Sequence, residues 1–195
     1  MIASLLAKLA PMAMMEDNGT ERARVAIGLL EKQAAEGPLA QELAECGGLR
    51  ILVQTMVLHP EATLRQGACS VLSAALHEGE HGGAFMIAAQ TAKLPQGLMR
   101  VLAEEDRKAR PKAGEKAVDP DLPLRRVALP ALALLIARVP ELLDDPATAS
   151  TVLGAAGSCD HQLRRGSIAL ALSLATDEAT LAKGTRFTTS LVSND

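Results

Sequence analysis

Apolar positions recur along this chain three and four residues apart, and the pattern is sharpest in four stretches that resemble one another. These are "RARVAIGLLEKQA" from Arg22, "RQGACSVLSAAL" from Arg65, "RRVALPALALLI" from Arg125 and "RRGSIALALSLA" from Arg164. Each opens on an arginine and places a small or β-branched residue three positions later, at Val25, Ala68, Ala128 and Ser167. Seven positions after the arginine come Leu29, Leu72, Leu132 and Ala171. Spacing of this kind predicts amphipathic helices. The intervals between the arginines are close to the roughly forty residues typical of stacked helical repeats, once a charged stretch from Asp106 to Asp121 in the middle interval is set aside. That stretch, "DRKARPKAGEKAVDPD", has almost no apolar periodicity and reads as a surface loop.

The segment Pro38 to Gly79 shows how one unit is divided. Leu39 to Glu45 predicts a short first helix, and Gly47-Gly48 supplies a sharp turn. A second helix is expected from Leu49 to Leu58, ended by His59-Pro60, and a third from Ala62 to Glu78. Composition agrees, because the chain is 48% hydrophobic but 1% aromatic, with two Phe and no Trp or Tyr. A core of Ala, Leu, Val and Ile with so few aromatics suits closely packed helices. The apolar opening "MIASLLAKLAPMAMMEDNG" is interrupted by Lys8 and Pro11, so it reads as an amphipathic helix packed on the rest of the chain and not as a leader or a membrane span.

Short helix, glycine turn, helix, proline turn and long helix, as in "GGLRILVQTMVLHPEATLRQGACSVL", resemble an armadillo repeat, with HEAT repeats a near alternative. The resemblance implies an all-α fold, a right-handed α-α superhelix of about four repeats. Residues 2–36 look like the second and third helices of a first repeat, 38–79 a full repeat, 80–139 a repeat carrying the loop 106–121, and 140–176 a shortened repeat. Residues 177–195 start a further repeat or form a tail, so both ends read as cut through a longer series. The resemblance further implies a binding scaffold whose third helices line a concave groove. Peptide-binding members of the family carry a recurring Asn, and some a Trp, on those helices. The Trp-type positions here are Ile27, Ser70, Pro130 and Ala169, and the Asn-type positions are Glu31, Ala74, Leu134 and Ser173, so neither residue is present. A small, apolar groove of this kind suits a partner helix or folded surface better than an extended peptide. Alternatively, several of these residues belong to the core.

Candidate partner-binding residues are therefore Arg22, Arg65, Ser70, Ala74, Arg125, Arg126, Arg164, Arg165 and Ser173. In-register stacking would make the arginines a basic stripe near the third-helix N-termini, able to clamp acids on a partner. The competing reading has the same arginines pairing with carbonyls or acids of neighbouring repeats. The insertion's Arg107, Lys108, Arg110, Lys112 and Lys116 read as a solvated loop without the aromatic platform of a single-strand binder. A formal net charge of −3 gives no general attraction to nucleic acid or anionic lipid. The expected partner is another protein, with nucleic acid and membrane not expected.

Chemistry-bearing motifs are few. "HEGEH", His77 to His81, spells a zinc-hydrolase helix, but Gly79 matches Gly37 of the preceding unit and reads as a helix stop, leaving His77 on the helix and His81 beyond it. Cys46, Cys69 and Cys159 are scattered, which fits a reducing compartment, cytoplasmic or nuclear. Cys69 reads as a buried small hydrophobe, and Cys159-Asp160-His161, a thiol near an imidazole, as structural. The expectation is a non-enzymatic protein-interaction scaffold with no cofactor. The alternatives are a chaperone cofactor, since short armadillo domains also resemble nucleotide exchange factors and myosin-directed chaperone domains, and a zinc hydrolase using His77, Glu78 and His81.

Overall fold

The computed structural model describes residues 1–10, 17–78, 83–103, 120–158 and 160–176, and all regular structure among these is helical. Helices α1 to α5 span Ile2–Ala7, Gly19–Glu36, Ala40–Glu45, Gly48–Leu58 and Ala62–His77. Helices α6 to α10 span Gly83–Thr91, Leu94–Ala103, Leu122–Arg138, Pro146–Ala156 and His161–Thr176, with a 3-10 turn at Pro140–Asp144. Most of the periodic apolar residues face inward as helical geometry requires, but Val25 and Leu29, aligned with buried Ala68 and Leu72, are 53% and 46% exposed, so the alignment does not hold in α2. In α2, Ala23, Ala26, Ile27 and Leu30 are buried, and in α5 Leu64, Ala68, Val71, Leu72, Ala75 and Leu76. Helix α1 buries Ile2, Leu5 and Leu6, so this part of the apolar opening packs inward, while 11–16 lie outside the described residues.

The boundaries have local causes. Gly47 sits at φ 69°, a left-handed conformation that a side chain disfavours, and turns the chain between α3 and α4. His59 ends α4 in extended backbone before Pro60. Asp145 caps α9 by accepting a hydrogen bond from the Ala147 amide at 3.0 Å, with Pro146 at the first helical position. Asp121, expected as the last residue of a surface loop, is instead buried directly before α8. The remainder of that loop, 106–119, lies outside the described residues.

Packing follows one rule. Among the described elements, counting the 3-10 turn as one, helices meet the element three places further along: α1 packs on α4, α2 on α5, α3 on α6, α4 on α7, α5 on α8, α7 on α9 and α8 on α10. Two rows result, α2–α5–α8–α10 and α1–α4–α7–α9, and one apolar core runs between them from Ile2 to Leu170.

Glycine makes the close approaches between successive units possible. A Cβ on Gly67 of α5 would lie 2.2 Å from Ile27 Cγ2 of α2, and one on Gly48 of α4 would lie 2.5 Å from Leu6 Cδ1 of α1. A Cβ on Gly97 of α7 would lie 3.0 and 3.1 Å from Met56 and Val53 of α4, and one on Gly166 of α10 would lie 3.1 Å from Leu129 of α8. At all four junctions the nearest large side chain belongs to the earlier unit and the glycine to the later one. The Ile27 methyl is attached to a branched Cβ and cannot swing clear, so the Gly67 junction is the least forgiving. We expect Gly67→Ala to destabilise the protein by about 1–3 kcal/mol through overpacking. Gly28→Ala, where a Cβ meets nothing within 4 Å, should stabilise it by about 0.5–1 kcal/mol through helix propensity. Urea unfolding of both variants checks this, and equal effects would contradict the junction.

Candidate functional site

The row α2–α5–α8–α10 carries the predicted arginines, and three of its arginines reach forward to the next helix of the row. Arg24 Nε of α2 donates to Glu61 Oε1 at 2.7 Å, and Glu61 directly precedes α5. Arg65 of α5 pairs with Asp121, which directly precedes α8. Arg126 of α8 donates through Nη2 to Asp160 Oδ2 at 2.6 Å and through Nε to Oδ1 at 3.4 Å, and Asp160 directly precedes α10. The same connection thus occurs three times, from an arginine on one helix to the acid before the next. Each acid sits where an N-terminal helix dipole favours negative charge, so it is held from both sides.

The three links differ in burial. Arg65 and Asp121 have side chains 12% and 7% exposed, so removing either charge strands the other in a dry site. Arg24 is 54% exposed, and Glu21 shares it at 3.0 Å. The hydrogen bond from Arg126, reinforced by the Leu163 and Gln162 amides, holds the Asp160 carboxyl far below the usual carboxylate range, at about 2. Arg24 likewise lowers Glu61.

The nine predicted partner-binding residues divide accordingly. Arg65 and Arg126 are engaged by acids of the chain itself, and Arg125 is buried, 2% exposed, inside the stack. Arg164 donates to the Ser158 carbonyl at 3.3 Å. Arg22 and Arg165 are exposed, Ser70 and Ala74 are half-buried on α5, and exposed Ser173 donates to the Leu170 carbonyl at 2.8 Å.

Two grooves run along this row. One, of about 480 Å³ between α2 and α5, is lined by Ile27, Glu31, Gly67 and the Arg24–Glu61 pair. The other, of about 610 Å³ between α8 and α10, is lined mainly by Leu129, Pro130, Ala133, Leu134, Ala169 and Ser173. Six of the eight positions expected to face a groove therefore do line one: Ile27, Glu31, Pro130, Leu134, Ala169 and Ser173. Pro130 lies inside α8, where it removes a backbone donor and costs about 3 kcal/mol relative to alanine.

A third and larger groove, of about 940 Å³, was not anticipated; it lies among α3, α4, α6 and α7. Leu58 and Ile87 line it, 64% and 66% exposed, and its charged lining residues, Arg50, Lys93 and Arg100, are all basic. The only signal for it in the sequence is the apolar residues of two adjacent helices, and that pattern does not reveal which of them a neighbour leaves uncovered.

Where the described residues include them, the motifs with catalytic spellings are engaged within the chain. Both carboxylate oxygens of Glu78 accept backbone N–H groups at the start of α3, from Leu39 at 2.7 Å and Ala40 at 2.8 Å. The Glu of "HEGEH" thus caps a helix of its own unit from the end of α5, while His81 lies outside the described residues. Cys69 is fully buried, and desolvation pushes its thiol up to about 12, far from a nucleophile's range. Cys159 lies outside the described residues, and its neighbour Asp160 is occupied by Arg126. Among the described residues, no cluster of three or more His, Cys, Asp or Glu is placed to hold a metal, and no helix is long and apolar enough to cross a membrane.

Comparison with protein-family models, with curated proteins and with solved structures returned no match to this chain.

Because the folded state lowers the Asp160 pKa, the resulting stability is fully present above about pH 4, the unfolded value, and is lost as pH falls towards about 2. Asp160→Asn keeps a capping side chain but loses the charge. We expect it to be less stable by about 1 kcal/mol at pH 7 and to converge with the parent near pH 2. A difference independent of pH in denaturant titrations would refute the charge pairing.

Proposed function

We propose that this chain is a non-enzymatic scaffold of the armadillo-like type, a right-handed superhelix that binds another protein along the row α2–α5–α8–α10. The three-element packing period supports the architecture, since it is how units of two or three helices stack when each buries its apolar face on its neighbour. The observation that carries the binding function is the α8–α10 groove, which is open and predominantly apolar. Its floor of Leu129, Ala133 and Leu134 offers area burial to a partner helix. Pro130, at the edge of this groove, breaks the local rule for helix interiors, as functional sites often do. The arginine row serves the stack itself through Glu61, Asp121 and Asp160, so partner recognition rests on the apolar trough and not on a basic stripe.

A second reading places the partner in the α3–α4–α6–α7 groove, favoured by its size and by exposed Leu58 and Ile87. The chaperone-cofactor reading uses the same scaffold, and the identity of the bound partner decides it.

Tagged protein and variants at the two grooves separate these readings. We expect Ala169→Glu, at an exposed position of the α8–α10 groove, to lower partner recovery from lysate at least tenfold while Ile87→Glu leaves it intact; tenfold corresponds to about 1.4 kcal/mol. The reverse pattern would move the site to the second groove, and recovery unaffected by either would refute both.

A further inference from the structure

We infer that copies of this chain associate head to tail, the outer face of α10 in one copy docking on the outer face of α2 in the next, with Arg165 of the first reaching Asp17 of the second. Helix α2 packs on α1 and α5, and α10 on α8 and α9, which leaves one flank of each uncovered among the described residues. On α2 that flank carries Val25 and Leu29, one turn apart and 53% and 46% exposed. On α10 it carries Ile168 and Leu172, also one turn apart and 47% and 61% exposed. Among the described residues these four are the exposed large apolar side chains of the row α2–α5–α8–α10, and they lie at its two outer helices.

Charge selects the occupant. Within the chain, each junction of this row joins an arginine on the earlier helix to the acid preceding the later helix: Arg24 to Glu61, Arg65 to Asp121 and Arg126 to Asp160. The next arginine in the series is Arg165, three residues before Ile168 and so on the same flank of α10. The acid that precedes the first helix of the row is Asp17, two residues ahead of α2. Both are exposed, and neither has an ion-pair partner among the described residues. A second copy would therefore supply each with the partner that the other junctions already have. Arg22, one turn before Val25, already interacts within the chain, and Lys32 on α2 is neutralised by Glu36 at 3.7 Å.

The other row permits the same approach. The exposed residues of α1 include Ala3, Ser4 and Ala7, and those of α9 include Ala147, Ser150 and Gly154. Side chains this small leave room for a neighbouring helix. The contact pairs two different surfaces, so it is heterologous and does not close into a dimer.

Light scattering and sedimentation of the full chain across a concentration series test this inference. The mass is expected to rise past that of a dimer. Val25→Glu and Ile168→Glu, at exposed positions that leave folding intact by circular dichroism, should each be monomeric. An equimolar mixture of the two should form a one-to-one dimer that grows no further, because one sound face of each kind remains. Arg165→Glu should weaken association about threefold at low salt, as expected for an exposed ion pair. A chain that stays monomeric at every concentration would overturn the inference, as would a closed dimer that either Glu substitution leaves intact or that mixing fails to restore.

Discussion

The structure depends on one joint, repeated between successive units. A large side chain of the earlier unit enters the space left by a glycine of the later unit, and an arginine of the earlier unit holds the acid that precedes the later helix. Ile27 on Gly67 and Arg24 on Glu61 make both halves of the joint between α2 and α5, as Leu129 on Gly166 and Arg126 on Asp160 do between α8 and α10. The glycine half sets how closely the helices approach. The arginine half sets their register, since a planar guanidinium facing a carboxylate at a helix N-terminus tolerates little sliding. Between α5 and α8 the ionic half stands without a glycine, and it is there that the pair is most buried, at Arg65 and Asp121.

A row of such joints leaves troughs between its helices. Where glycine draws the backbones together, the side chains one turn further on line a groove, and their chemistry determines what it receives. Between α8 and α10 these are Ala, Leu and Pro, and the groove is predominantly apolar. Between α2 and α5, Glu31 and the Arg24–Glu61 pair make it more polar. Stacking and groove lining thus use different residues of the same helices: the arginines and glycines join the units, and the groove residues stay open.

Much of this was legible in the sequence, because repetition reveals what a single helix does not. The unit from Pro38 to Gly79 folds into three helices that begin and end within a residue or so of where glycine and proline place them. The arginine row was equally visible, and pairing with acids or carbonyls of neighbouring units was one of its two readings; which arginines form the links was not visible. Aligning Arg22, Arg65, Arg125 and Arg164 selects only Arg65 from the residues that form the links; the other two are Arg24 and Arg126, shifted by two and one positions. A doublet such as Arg125-Arg126 does not say which member points inward, and the structure buries the first and pairs the second. Nor could spacing show that Glu78 caps α3, because its partners Leu39 and Ala40 precede it by most of a repeat. The α3–α4–α6–α7 groove was hidden for a related reason, since exposure depends on what a neighbour fails to cover.

If these joints carry the structure, stability should be local, as it is in linear arrays and is not in a single cooperative core. Native-state hydrogen exchange on the parent and on Arg126→Ala measures this directly. The account predicts that the central helices α5 and α8 exchange most slowly, and that Arg126→Ala speeds exchange in α9 and α10 while leaving α2 to α4 unchanged. A uniform loss of protection along the whole chain would contradict it.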